Sequence, residues 1–169
     1  MRDHHYVRQI FASIDLDKID ERRLEKVSHM VTLIVYQSDM LQTIINIRLL
    51  PSIIIKLMDE KYSVAIRSNA VLAISLLTYH DSLFNELAKD NVIDMIMELC
   101  MDPKLELKIK SYSTLALVHF ALNPKSQKIL LDKGVMEIFS ALKSIDSVQI
   151  YTNVAWVFLA LCNNGITGK

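Results

Sequence analysis

Residues 129–139 read ILLDKGVMEIF, and residues 153–161 read NVAWVFLAL. Both segments carry apolar side chains at steps of three and four residues, which is typical of helices that bury one or more faces. Gly134 falls between two apolar runs, where a helix commonly ends in left-handed backbone. The two segments therefore predict a short helix, a second helix that starts near Gly134, and a longer third helix.

The same arrangement recurs along the chain. Three apolar blocks are separated by 42 residues each time, at positions 53–58, 95–100 and 137–142. A longer apolar stretch follows each block, and the offsets there are 43 and 41 when Leu72, Leu115 and Trp156 are aligned. A fixed period of this length predicts a stack of helical repeats, in which each unit covers the apolar face of its neighbour.

The period predicts a single helical-repeat domain over residues 1–169. Helix-breaking pairs support the divisions, because Asp102-Pro103 follows a second helix and Asn123-Pro124 follows a third helix. The predicted parts are a partial or capping repeat at 1–37, full repeats at 38–80, 81–123 and 124–163, and a tail at 164–169.

Residues 129–139 and 153–161 together resemble an armadillo repeat. The family pattern has a Gly between the first two helices and a small-apolar-Trp-Ala-Leu run in the third helix. HEAT repeats are the near alternative, because Val64, Arg67 and Ala70 suit that pattern too. The resemblance implies an all-α fold, a right-handed α-α superhelix of about three and a half three-helix repeats.

By this resemblance, the third helices line a concave groove that binds an extended or helical segment of another protein. Trp and Tyr supply a large contact area at low conformational cost, so Tyr112 and Trp156 are the first candidates for contact. The alternative for both is burial between helices. The predicted groove residues are Asn69, Leu72, Tyr112, Leu115, His119, Gln149, Asn153 and Trp156.

The groove departs from one well-known armadillo pattern. Importin-alpha and beta-catenin clamp a partner's backbone with a ladder of Asn side chains on the third helices. The matching positions here are Leu76, His119 and Ala160. Binding of nuclear-localisation signals in the importin-alpha manner is therefore not expected.

Charge and motifs argue against several other functions. The chain has 19 basic and 19 acidic residues, so no global field attracts nucleic acid or an anionic membrane. The groove residues are neutral, whereas RNA binding by a helical repeat needs a basic groove. The longest apolar run, at 154–162, is too short to span a membrane.

No catalytic residue, metal ligand or cofactor is predicted. A Gly-rich phosphate loop, a nucleophile elbow and a Cys or His metal spacing are all absent from the sequence. Cys100 and Cys162 lie in apolar helical patterns and are expected to pack as small hydrophobes. The segment 104–110, KLELKIK, is expected to start a helix with a solvated basic face.

These observations predict a non-enzymatic scaffold or adaptor that binds a peptide segment or helix of another protein. The alternatives are a structural subunit of a larger assembly, cytoskeletal or ciliary, and a fragment of a longer repeat array. No polar helix follows the apolar third helix at 148–162, so self-association through the last repeat is also expected. The predicted location is the cytoplasm, with the nucleus, the cytoskeleton and the cilium as alternatives.

Overall fold

A computed structural model describes residues 9, 15, 18–36, 49–79, 87 and 92–165. All regular secondary structure in these residues is helical, as the apolar periodicity predicts. The helices in the described residues are α1 (Glu21–Tyr36), α2 (Leu49–Lys56), α3 (Val64–Leu77), α4 (Val92–Met101), α5 (Leu107–Leu122), α6 (Pro124–Asp132), α7 (Val135–Leu142) and α8 (Val148–Gly165).

The helices follow the predicted order within each repeat. The predicted second helices are α2, α4 and α7, and the predicted third helices are α3, α5 and α8. The first helix of the repeat at 124–163 is α6. The first helices of the other two full repeats lie largely outside the described residues.

The chain forms two compact units, residues 1–74 and 75–169. In the second unit, α7 packs against α4 and α8 packs against α5, so each helix contacts its counterpart one repeat earlier. The contacts enclose fully buried side chains such as Ile96, Leu117 and Val157. This contact of like helices is how stacked repeats share one core. The predicted limits of the individual repeats remain predictions.

The breaks between α5, α6 and α7 contain residues that commonly begin or end helices. Asn123 precedes α6, and its Oδ1 accepts the Lys125 backbone N–H at 3.1 Å. Pro124 occupies the first turn, where the missing N–H costs no helical hydrogen bond. Gly134 lies between α6 and α7 with φ of +77°, in the left-handed region.

In two repeats, a side chain near the start of the third helix donates to a carbonyl at the end of the second helix. Arg67 Nε donates to the Met58 carbonyl at 3.3 Å, and Tyr151 Oη donates to the Lys143 carbonyl at 3.0 Å. Donors and cations at these sites satisfy the unpaired carbonyls of the helix end. In the middle repeat, the corresponding residue is Lys110, whose charge acts on the buried thiol of Cys100.

The burial of Lys110 corrects one expectation from the sequence. Segment 104–110 does start a helix, and Lys104 and Lys108 are exposed. Lys110, however, is buried, so the basic face is not fully solvated. The reason is that the long aliphatic stem of a lysine can cover apolar surface.

Replacing Gly134 tests the turn between α6 and α7. We expect Gly134→Ala to lower the free energy of unfolding by about 1 kcal/mol, because left-handed backbone is costly for a residue with a Cβ. Steric crowding is not the cause of the expected loss, since a Cβ at this position would lie 3.6 Å from its nearest neighbour, in the Glu137 side chain. Urea unfolding followed by circular dichroism measures the loss.

Gly134→Asn is the matched control, because Asn tolerates the left-handed region better than Ala does. A smaller loss is expected for Asn than for Ala. Equal losses for the two variants would show that the backbone conformation is not what selects glycine here.

Candidate functional site

The two predicted groove residues of the first unit lie on α3. Asn69 and Leu72 are both half-buried. Asn69 Nδ2 donates to Ser28 Oγ at 3.0 Å, and its backbone carbonyl accepts the Thr32 hydroxyl at 2.9 Å. The Asn69 amide thus ties α3 to α1, and part of its hydrogen-bonding capacity is used within the fold.

The three predicted groove residues of α8 differ in exposure. Trp156 is 52% exposed and Asn153 is 3% exposed, while Gln149 is exposed at the start of the helix. Gln149 Nε2 donates to Asn153 Oδ1 at 3.1 Å. Trp156 therefore presents most of the accessible apolar surface of this row.

The Asn153 amide joins α8 to α5. Its Nδ2 donates to Thr114 Oγ1 at 2.9 Å and to the Ser111 carbonyl at 3.1 Å. In α5, both acceptors lie beside predicted groove residues, since Tyr112 follows Ser111 and Leu115 follows Thr114. The same bridge from a third helix to the preceding third helix occurs at Asn69 in the first unit.

The predicted groove residues of α5 are all half-buried: Tyr112, Leu115 and His119. The His119 Nδ1 lies 2.5 Å from the Ser75 carbonyl and 3.4 Å from Thr78 Oγ1. A carbonyl can only accept, so Nδ1 of His119 carries the proton and donates. The His119 ring also meets the Tyr79 ring edge-on, with centroids 5.5 Å apart.

Lys108 is a neighbour of the groove that the sequence analysis did not include. Its Nζ lies over the Tyr112 ring, 6.0 Å from the centroid, which is the outer range of a cation–π contact. Residues four apart on a helix face the same side, so the i, i+4 spacing of Lys108 and Tyr112 in the sequence could have predicted that the two side chains are neighbours. Helices α5 and α8 contain no Asp or Glu, and their only charged residues are Lys108 and buried Lys110.

Among the described residues, no cluster of three or more His, Cys, Asp or Glu side chains has the arrangement of a metal site. Cys100 is buried, and burial raises the pKa of its thiol far above the ordinary value, although the Lys110 charge opposes the rise. A thiol held protonated is a poor nucleophile. No helix within 18–36, 49–79 or 92–165 has both the length and the apolar character to cross a membrane.

The structure resembles solved designed repeat proteins. A computationally designed armadillo repeat protein for modular peptide recognition is 19% identical, with a TM-score of 0.75 over 86% of this chain. A designed armadillo repeat protein in complex with the peptide (KR)4 is 18% identical, with a TM-score of 0.75 over 86% of this chain. An engineered protein is 14% identical, with a TM-score of 0.75 over 95% of this chain.

These likenesses establish an armadillo-like repeat fold, as the resemblance in the sequence implied. This chain spans 60%, 61% and 63% of the lengths of the three compared proteins. No family model matches the sequence, and no curated protein matches it. The fold is thus shown by structure alone, and the groove residues remain a prediction.

The buried bridge of Asn153 predicts a measurable loss of stability. Asn153→Ala removes the donor to Thr114 Oγ1 and one of two side-chain donors to the Ser111 carbonyl, and we expect it to lower the free energy of unfolding by about 1–3 kcal/mol. Asn163→Ala on the same helix is the control, because Asn163 is exposed. Chemical denaturation of both variants measures the difference, and equal stabilities would contradict a structural role for the bridge.

The two cysteines are expected to differ in reactivity. Because burial raises the pKa of Cys100, its thiolate fraction at neutral pH is below that of an ordinary thiol, and water cannot reach it. Cys162 is exposed. Dilute native protein should therefore react with one equivalent of a maleimide, at Cys162 by peptide mapping, and with two after unfolding. Labelling of Cys100 in the native state at the rate of Cys162 would contradict the burial.

Proposed function

We propose that this protein is a non-enzymatic scaffold that binds a segment of another protein against its third helices, with Trp156 as the principal contact. The exposure of Trp156 is the observation that carries the proposal. A Trp that is 52% exposed on α8 offers a large apolar area with few rotatable bonds. Such residues are the usual energetic centres of protein interfaces.

The hydrogen bonds around Trp156 support a preorganised surface. Asn153 is fixed to α5 by two hydrogen bonds, and Gln149 is fixed to Asn153 by one. A partner that contacts Trp156 therefore orders few additional side chains, and this reduces the entropic cost of binding. In this proposal Asn153 positions the surface, while Trp156, Gln149 and Tyr112 touch the partner.

The charges of α5 and α8 suggest the chemistry of the partner segment. Lys108 is the one exposed charge on these helices, and no carboxylate accompanies it. The favoured partner is an apolar or aromatic segment with an acidic residue that pairs with Lys108. A strongly basic peptide such as (KR)4, which one of the designed proteins binds, finds no carboxylate on α5 or α8.

RNA binding is disfavoured because one exposed lysine on α5 and α8 does not make a basic row.

We propose the cytoplasm as the location, and two free cysteines suit a reducing compartment. We keep a structural role within a cytoskeletal or ciliary assembly as the second candidate function, because neighbouring subunits of such an assembly would also cover Trp156.

Selection from a random linear peptide library, followed by titration of the winning peptide, tests the proposal. Trp156 is the only Trp in the chain, so its fluorescence reports directly on this surface. We expect the bound peptide to shift Trp156 emission to shorter wavelength as water leaves the ring. By calorimetry, Trp156→Ala should weaken binding about 30-fold, corresponding to roughly 2 kcal/mol for an interface centre.

Leu131→Ala is the matched control, since Leu131 is 50% exposed on α6 and lies outside the proposed surface. It should leave the affinity unchanged, and (KR)4 should bind more weakly than the selected peptide. If the selected peptides bind Trp156→Ala as tightly as the unchanged protein, or if no peptide is enriched, the groove proposal is wrong.

A further inference from the structure

A cavity of about 470 Å³, here called the junction cavity, lies where α5 ends and α6 begins. Its volume is within the range of ligand pockets, roughly 300–1,000 Å³. Its walls include Thr78 and Tyr79 just after α3, His119 and Leu122 in the last turn of α5, and Asn123 and Lys125 at the start of α6. All of these residues belong to the second unit. The cavity shares His119 with the predicted groove and therefore adjoins it.

Hydrogen bonds within the fold hold the walls of the junction cavity. His119 Nδ1 and the buried Thr78 hydroxyl both donate to the Ser75 carbonyl, the hydroxyl at 2.8 Å. At the start of α6, Asn123 Oδ1 accepts the Lys125 backbone N–H at 3.1 Å. A ligand therefore meets a largely preformed site, and this lowers the entropic cost of binding.

The side chains of Tyr79 and Leu122 give the junction cavity an accessible apolar surface. Tyr79 is 70% exposed and Leu122 is 51% exposed. The Tyr79 ring meets the His119 ring edge-on, with an angle of 67° between the ring planes. Aromatic rings favour such edge-to-face contacts and offset stacking. The exposed ring of Tyr79 beside Leu122 therefore favours an aromatic occupant.

Two carbonyl groups at the end of α5 are already hydrogen-bonded. The Phe120 carbonyl accepts the Asn123 backbone N–H, at 3.1 Å, and the Ser126 hydroxyl. The Ala121 carbonyl accepts Gln127 Nε2 at 2.7 Å. Unpaired carbonyls at a helix end attract cations, so pairing them weakens that attraction. A cationic ligand therefore gains little from these two groups.

Lys125 determines the sign of the charge that the junction cavity favours. Lys125 is exposed, and it is the only Lys, Arg, Asp or Glu among the described residues that line the cavity. Within the described part of the chain, no acidic side chain pairs with it. A carboxylate next to the bound aromatic ring would therefore pair with the Lys125 ammonium and meet no like charge in the lining.

The junction cavity lies within reach of a segment that contacts Trp156. The bridge from Asn153 to α5 and the 41-residue offset between the starts of α5 and α8 place Trp156 level with Leu115. His119 is four residues further along α5, a rise of about 6 Å, and packed helices lie about 8–10 Å apart. Trp156 and His119 are thus on the order of 11 Å apart, a distance that about three or four extended residues span.

We infer that the junction cavity binds an aromatic side chain of the partner segment, and that an aspartate or glutamate next to that side chain pairs with Lys125. The identity of the occupant as part of a protein segment rests on the proposed function. The segment then has two anchors, one against Trp156 and one in the cavity. Lys108, near the other end of α5, carries the same charge as Lys125, so both ends of this surface favour an acidic segment.

An NMR titration of the full chain with two dipeptides tests the cavity without a partner protein. N-acetyl-phenylalanyl-aspartate amide carries the inferred ring and carboxylate, and N-acetyl-phenylalanyl-lysine amide reverses the charge. The acidic dipeptide should shift the ring protons of His119, which His119→Gln assigns, with a dissociation constant on the order of 1 mM. The basic dipeptide should bind at least about threefold more weakly.

Two pairs of matched variants locate the bound dipeptide. Leu122→Ala should weaken the acidic dipeptide about fivefold, whereas Leu131→Ala, at a leucine of similar exposure outside the cavity, should not. Lys125→Glu should abolish the preference for the acidic dipeptide, whereas Lys128→Glu, at an exposed position of α6 outside the cavity, should preserve it. Circular dichroism establishes that the variants fold. Equal effects within either pair, or equal affinity for the two dipeptides, would overturn the inference.

The peptide selected from the library separates this inference from the proposed function. Leu122→Ala and Lys125→Glu should each weaken the binding of that peptide. If Trp156→Ala weakens binding and the two cavity variants do not, the groove proposal stands and the inference is wrong. If the cavity variants weaken binding and Trp156→Ala does not, the inference stands and Trp156 is not the principal contact.

Discussion

The apolar third helices depend on cover from both sides, and this constraint shapes the rest of the structure. Helix α5 has buried residues around most of its circumference, including Ile109, Leu117 and Phe120. One repeat cannot enclose such a helix, so α8 packs directly on it. The packing of α8 on α5 leaves a narrow half-buried row on α5, which contains Tyr112, Leu115 and His119.

The sequence was sufficient to predict the second and third helices of the full repeats and their order. The period of 42 residues located the second and third helices, and Gly134 marked a left-handed turn that the structure contains. These features depend on local backbone preferences and on the spacing of apolar residues, both of which are visible in a single sequence. The fold class could be predicted because each full repeat shows the same spacing of apolar residues.

The orientation of individual side chains could not be predicted in the same way. Asn153 and Trp156 were assigned to one groove, yet Asn153 is buried against α5 while Trp156 is half exposed. Residues three apart on a helix differ by about 60° in direction, so one can face a neighbouring helix while the other faces solvent. In a helix with few polar side chains, the pattern of apolar residues does not indicate which row faces a neighbouring helix and which row faces solvent. The burial of Lys110 was also missed, because a basic residue is normally expected to be exposed to solvent.

The proposed binding surface combines Trp156 of α8 with Lys108 and Tyr112 of α5. The row with Trp156 and Lys108 is small, and a single Trp with a few polar neighbours supports only modest affinity once the entropy of association is subtracted.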